Sequence, residues 1–225
     1  MTGPVCLQGG GEFSPGCGPM DAELVRRAPG RVVVSALAGT VGADYRTATQ
    51  NGVRHFRSVG AKDVVAAPDV RQDRDGALAA LSSADLIVLP GGSPSRLLAA
   101  LQDSGADRVV ADRLGAGALV MGSSAGAMVL GAWTVLPDRR GAGGMQVVRG
   151  LDLVPGVLVI PHWSGRSSRE DWLDAIESEV PQDVVVLGIP EESGVLVDGR
   201  GRTAVGRSVT TLVRERRELP PGTVA

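Results

Sequence analysis

The chain has 225 residues, a formal net charge of −2 and 43% hydrophobic residues, enough apolar material for a single compact domain over residues 1–225. That charge, with no basic stripe or aromatic-interleaved patch, argues against a nucleic-acid surface, and no apolar run approaches the roughly 20 residues that span a bilayer. Aromatics supply only 3%, so Val, Leu and Ala must build most of the core.

Short β-rich runs alternate with amphipathic segments along the chain. Strands are predicted at 5–8, 32–37, 63–67, 86–90, 118–122, 157–161 and 184–189, several of them apolar at successive positions, as in strands buried on both faces. Helices are predicted near 44–58, 73–83, 94–103, 105–115, 124–131 and 168–178, the first interrupted by Gly52. This alternation, with Gly-rich turns after the strands, predicts an α/β fold: a doubly wound, mostly parallel sheet in a three-layer sandwich. The stretch GVLVDGRGRTAVGRSVTTLVRE reads differently, as a short C-terminal β meander turning at DGRGR. Cys6 and Cys17 have neither zinc-ligand spacing nor a disulfide framework, so reduced thiols are expected. The first residues lack the basic and apolar regions of a signal peptide, and the expected compartment is the cytoplasm.

In an open parallel sheet, ligands bind beyond the carboxyl ends of the strands. Gly122-Ser123-Ser124-Ala125-Gly126 stands at such an end and satisfies G-x-S-x-G around Ser124. A nucleophile on a tight strand-to-helix turn needs small neighbours, so that the chain can fold beneath it and lift its hydroxyl into the cleft. Ser124 is therefore the candidate nucleophile, with the Ala125 N–H as an oxyanion donor. A second strand end, LIVLPGGSPSRLL, puts Gly91 and Gly92 where side-chain-free backbone can approach a substrate oxygen, Gly92 as the second oxyanion donor and Gly91 in substrate binding.

A serine nucleophile needs a base, most often histidine. Only His55 and His162 exist. His55 falls late on a surface-type amphipathic helix, whereas His162 follows the apolar run VLVIP in a polar loop, so His162 is the candidate base. Its orienting carboxylate stays open at this point. Asp138 follows the helix that Ser124 begins, and Glu191 and Glu192, in GIPEESG, follow another strand end.

The succession LQGGGE, LPGGSPSRLL, MGSSAGAM, PHW and GIPEES resembles the dipeptidase E and cyanophycinase family of serine peptidases, which shares its fold with class I glutamine amidotransferase domains. The resemblance covers most of the chain and implies a triad in the order Ser124, Asp138, His162, with Glu191 as the alternative acidic member. PHW followed by SREDW is similar to the Pro-His-Phe and later Thr-Arg-Glu of dipeptidase E, which implies that Arg169 lies near the substrate. The arginine four residues after the cyanophycinase histidine matches Arg166, but Ile160-Pro161 replace the Asp-Gln before that histidine and Pro94 replaces a substrate-binding glutamine, so cyanophycin is not the expected substrate. Guanidinium groups there would suit an acidic residue, which they can grip bidentately.

The resemblance thus implies a serine hydrolase acting on small peptides or isopeptides, with preference for Asp, without a cofactor or metal, and in a fold that often dimerises. Two rivals share part of the pattern. An α/β-hydrolase esterase has the same serine motif, although its histidine usually lies nearer the C-terminus. A non-catalytic module that binds a peptide or amino acid would keep the sandwich without turnover.

Overall fold

The structure, a computed structural model, describes residues 2–137, 144–165, 170–206, 210–212 and 217–222. Its first sheet has seven strands. Five are parallel and adjacent: β1 (Val5–Gln8), β5 (Leu119–Ser123), β4 (Leu86–Leu89), β2 (Arg31–Val34) and β3 (Asp63–Ala66). On the free side of β1 the antiparallel strands β10 (Ser193–Asp198) and β11 (Gly201–Gly206) extend the sheet, joined at the expected DGRGR turn.

Successive residues of these strands enter two different cores, the signature of a sheet covered on both faces. Leu7, Val33, Ile87, Leu89 and Val120 pack with Leu81, Leu97, Leu101 and Val110 from α3 (Arg74–Ser82), α4 (Pro94–Ser104) and α5 (Ala106–Gly115). Their neighbours Cys6, Val32, Val34, Val88 and Met121 pack with Met20, Leu24 and Phe56 from α1 (Gly18–Arg27) and α2 (Ala43–Ser58). The predicted three-layer α/β/α arrangement is therefore present. Gly52, the interruption in α2, sits where an added Cβ would lie 2.8 Å from Val34 and 2.9 Å from Phe13, so its absence lets the helix approach the sheet.

Two expectations change. The strands at 157–161 and 184–189 do not extend the first sheet. As β8 (Val154–Pro161) and β9 (Val185–Ile189) they form a second, six-stranded sheet with β6 (Gly131–Pro137), β7 (Met145–Arg149), β12 (Thr210–Leu212) and β13 (Arg217–Leu219), in the order β13-β12-β9-β8-β6-β7. The C-terminal meander is accordingly divided, one hairpin on each sheet. The reason lies in α6 (Ala125–Leu130), whose continuation at Gly131 is extended rather than turned, so the chain runs straight into β6. One face of the new sheet enters the larger core through Val157, Val159 and Leu187, and the other packs Leu158, Ile160 and Val186 on Leu173 and Ile176 of α7 (Glu170–Glu179).

Among the described residues, no helix is long and apolar enough to cross a membrane.

Candidate active site

Because β1, β4 and β5 are parallel, the turns that follow them share one edge of the first sheet. The ends of β8 and β9 meet them there through backbone hydrogen bonds. His162 N donates to Gly9 O at 2.7 Å, Glu192 N to Gly10 O at 3.0 Å, and Gly9 N to Ser193 O at 3.0 Å. Four of the five described non-glycine residues with positive φ belong to these turns: Phe13 (65°), Ser124 (50°), His162 (51°) and Glu192 (55°). Backbone in this region costs on the order of 1–3 kcal/mol per residue and persists where the surroundings enforce it, so strain is concentrated at this edge.

Ser124 turns the chain from β5 into α6 at φ 50° and ψ −111°. Its N–H is held by Gln8 O at 3.0 Å. The flanking glycines are required by packing, since a Cβ on Gly122 would lie 2.4 Å from Gly126 C, and one on Gly126 would lie 2.0 Å from Leu89 O. Thus lifted, Ser124 Oγ lies 2.9 Å from His162 Nε2. On the far side of the ring, His162 Nδ1 lies 2.7 Å from Glu191 Oε1. A carboxylate only accepts, so Nδ1 carries the proton and Nε2 is left to accept from the serine hydroxyl, the tautomer a general base needs. The His162 side chain is 36% exposed and that of Glu191 62%, so the pair stands open to an incoming molecule.

Among the described residues the carboxylate on the imidazole is Glu191, the alternative acidic member. Asp138 lies outside the described residues, as do Arg166 and Arg169. Glu192, the neighbour of Glu191, points elsewhere and accepts from Ser14 Oγ at 2.8 Å.

The two glycine turns differ from expectation in one detail. The Gly91 N–H is already used, donating to Glu12 Oε1 at 2.8 Å. Gly92, at φ 136°, has its Cα against the Ala38 carbonyl, 2.8 Å from where a Cβ would stand, and its N–H has no acceptor among the described residues. Ala125 opens α6 directly after the serine.

His55 is not on a surface. Its side chain is 8% exposed, and Nε2 lies 2.7 Å from Oδ2 of the fully buried Asp21, whose other oxygen accepts from Gln8 Nε2 at 2.6 Å. Burial raises the Asp21 carboxyl above its ordinary value, opposed by the hydrogen bond and charge of His55. Cys6 and Cys17 are buried and unbridged, and burial pushes the Cys17 thiol up to about 11.

Sequence reasoning passed over the triple glycine and Glu12. A Cβ on Gly10 would fall 2.3 Å from the His162 ring, so this residue is the floor on which the imidazole lies. Glu12 spans two turns, accepting from Gly91 N and, at 3.0 Å, from the buried Ser123 Oγ. The available signal was the position of GGGE directly beyond β1, on the edge where Ser124 was already expected.

Comparison with known proteins shows which family and fold the chain resembles. Residues 36–205 match the family model for Peptidase family S51. Peptidase E of Salmonella newport (strain SL254) and Peptidase E of Salmonella typhi are each 30% identical over 148 residues, 60% of this chain. The match spans 61% of the length of these relatives. A crystal structure of a peptidase from an acI-B1 Actinobacterium superposes with a TM-score of 0.83 at 23% identity, covering 100% of this chain and 97% of that one, a likeness of fold.

Proposed function

The chain belongs to Peptidase family S51, and from that premise we propose that it is a serine peptidase that cleaves small peptides or isopeptides, with preference for an acidic residue, through an acyl-enzyme. The observation that carries this reading is the line from Ser124 Oγ through the His162 ring to Glu191, at 2.9 and 2.7 Å.

In this mechanism Ser124 Oγ attacks the scissile carbonyl carbon as its proton passes to His162 Nε2. The Glu191 carboxylate holds the ring in place and stabilises the imidazolium that forms. The N–H groups of Ala125 and Gly92 receive the oxyanion, where each such donor contributes typically about 10²–10³ in rate. The imidazolium then gives its proton to the leaving amine, the C–N bond breaks, and the acyl group stays on Ser124. Water attacks that ester with His162 again as base, which releases the acid and restores the hydroxyl. Apart from the attacking water, the groups that act in these steps are side chains and backbone N–H groups of this chain.

The preference for an acidic residue rests on Arg166 and Arg169, carried over from the family resemblance. The test is amine release from Asp-X dipeptides, β-aspartyl-arginine, neutral dipeptides and an acyl ester, with Ser124→Ala as control. Release from Asp-X that disappears in the variant supports the proposal. Faster turnover of the ester than of any peptide would favour an esterase, and no turnover with clean fluorophosphonate labelling of Ser124 would point to a substrate outside this panel. Absence of both turnover and labelling would leave a binding module.

A further inference from the structure

We propose that Glu12 is the anchor for the free α-ammonium group of the substrate, and so makes this site select peptides with an unblocked N-terminus. The inference rests on the peptidase reading for the place of the scissile carbonyl, and on three observations around Glu12.

The first is proximity. The position a Gly91 side chain would occupy lies 2.6 Å from Glu12 Oε1 and 3.1 Å from Ser124 Cβ, so the carboxylate and the nucleophilic residue are close neighbours. The second is rigidity. Oε1 accepts from Gly91 N and Oε2 from Ser123 Oγ, which fixes the carboxylate while leaving each oxygen a further lone pair. The third is charge. Among the described residues no Lys, Arg or His nitrogen pairs with Glu12; in the cavity of about 630 Å³ that Glu12 helps to line, Arg54 donates to Asn51 and the His55 ring meets Asp21.

An uncompensated carboxylate beside a serine that must generate an oxyanion opposes the reaction by like-charge repulsion. The opposition disappears if the substrate itself brings a cation to that place. In a peptide losing one N-terminal residue, the ammonium nitrogen is two bonds from the attacked carbon, about 2.5 Å away. It therefore enters together with the scissile carbonyl, and a carboxylate flanking the nucleophile can receive it. An N-acylated peptide or an internal bond offers only a neutral amide there and covers the Glu12 charge without supplying a cation to it.

The test separates this assignment from the peptidase reading by measuring binding without turnover. Calorimetry on Ser124→Ala protein compares Asp-Leu with N-acetyl-Asp-Leu, then repeats the pair on Ser124→Ala/Glu12→Gln. The expected result is at least tenfold tighter binding of the free amine, with the difference erased by Glu12→Gln. Equal binding of the two peptides to Ser124→Ala overturns the assignment without any change at Glu12, and so does a preference that survives Glu12→Gln. A second readout tests whether Glu12 is merely a clamp. Fluorophosphonate labelling of Ser124, which brings no ammonium, is expected to proceed at least as fast in Glu12→Gln as in wild type, because the repulsion is relieved, and a loss there as large as the loss in peptide binding overturns the assignment. If wild-type protein hydrolyses no peptide, the proposed activity falls while the binding comparison still decides the role of Glu12.

Discussion

Asp21 and His55 meet at 2.7 Å, and so do Glu191 and His162. The first pair is buried, 0% and 8% exposed, with Gln8 on the second carboxylate oxygen and, among the described residues, no nucleophile on the imidazole. The second is open, 62% and 36% exposed, with a serine hydroxyl on the far nitrogen of the ring. Equal distances therefore serve opposite ends. A buried pair is committed to the fold, because removing one member strands the other in a low-dielectric interior. An open pair contributes little to folding and remains free to exchange protons with a bound molecule. What distinguishes them is burial and the third group on the ring.

Breaking the open pair should give the largest effect, and on rate alone. His162→Ala is expected to lower kcat by about 10⁶ and Glu191→Gln by about 10⁴, with unfolding midpoints close to wild type. Asp138→Asn, assayed beside them, is expected to retain most activity, and the reverse order of the two carboxylate variants would return the orienting role to Asp138. Breaking the buried pair should do the opposite. Asp21→Ala leaves His55 and Gln8 Nε2 without their partner and should cost about 3–5 kcal/mol in urea unfolding, while Ser124 in the protein that stays folded still takes a fluorophosphonate.

Gly10→Ala sharpens the comparison from within the open pair, since the new methyl falls 2.3 Å from the imidazole at a φ of 124°. Displacing the ring by a fraction of an ångström is expected to cost about 10² in kcat. The smallest effect belongs to a carboxylate wholly at the surface. Hydrogen bonds from Arg26 and Arg27 hold the Glu23 carboxyl down at about 2, below its ordinary 4.5. Its stabilisation is therefore present above the ordinary value and lost as pH falls through the depressed one. With the side chain 36% exposed, solvent screening keeps the contribution to ~0.5 kcal/mol, visible as a small gap between wild type and Glu23→Gln that closes toward pH 2.

Much of this was legible in the sequence where a single local signal sufficed. Ser124 and His162 each end an apolar run, and the strands of the first sheet announced themselves as continuous Val and Leu. Elements without such contrast, β6 and α1 among them, were missed. AMVLGAWTVL carries α6 into β6 with no change in hydropathy, and α1 buries only Met20, Asp21 and Leu24, too few positions to mark a period. The choice among carboxylates was left open by the sequence for another reason. Glu191 and Glu192 are adjacent, yet one faces His162 and the other Ser14, a division set by backbone geometry at φ 55° that composition does not encode. Glu12 and Gly10 act across 111 and 152 positions of chain, and only the folded edge brings them to their partners.

The placement of β1 between β5 and β10 has a consequence for the birth of the protein. Within residues 1–225 the earliest strand to be made is one that needs distant neighbours. Residues 5–8 find one partner only when 119–123 have been made and the other when 193–198 have. At translation rates of about 5–20 residues per second, the first strand waits on the order of ten seconds on one side and longer on the other. Glu12, Gly10 and the Gln8 carbonyl that holds Ser124 all depend on that strand, so a nascent chain already carrying its serine has no formed site. The complete site arrives late, when β10 closes on β1.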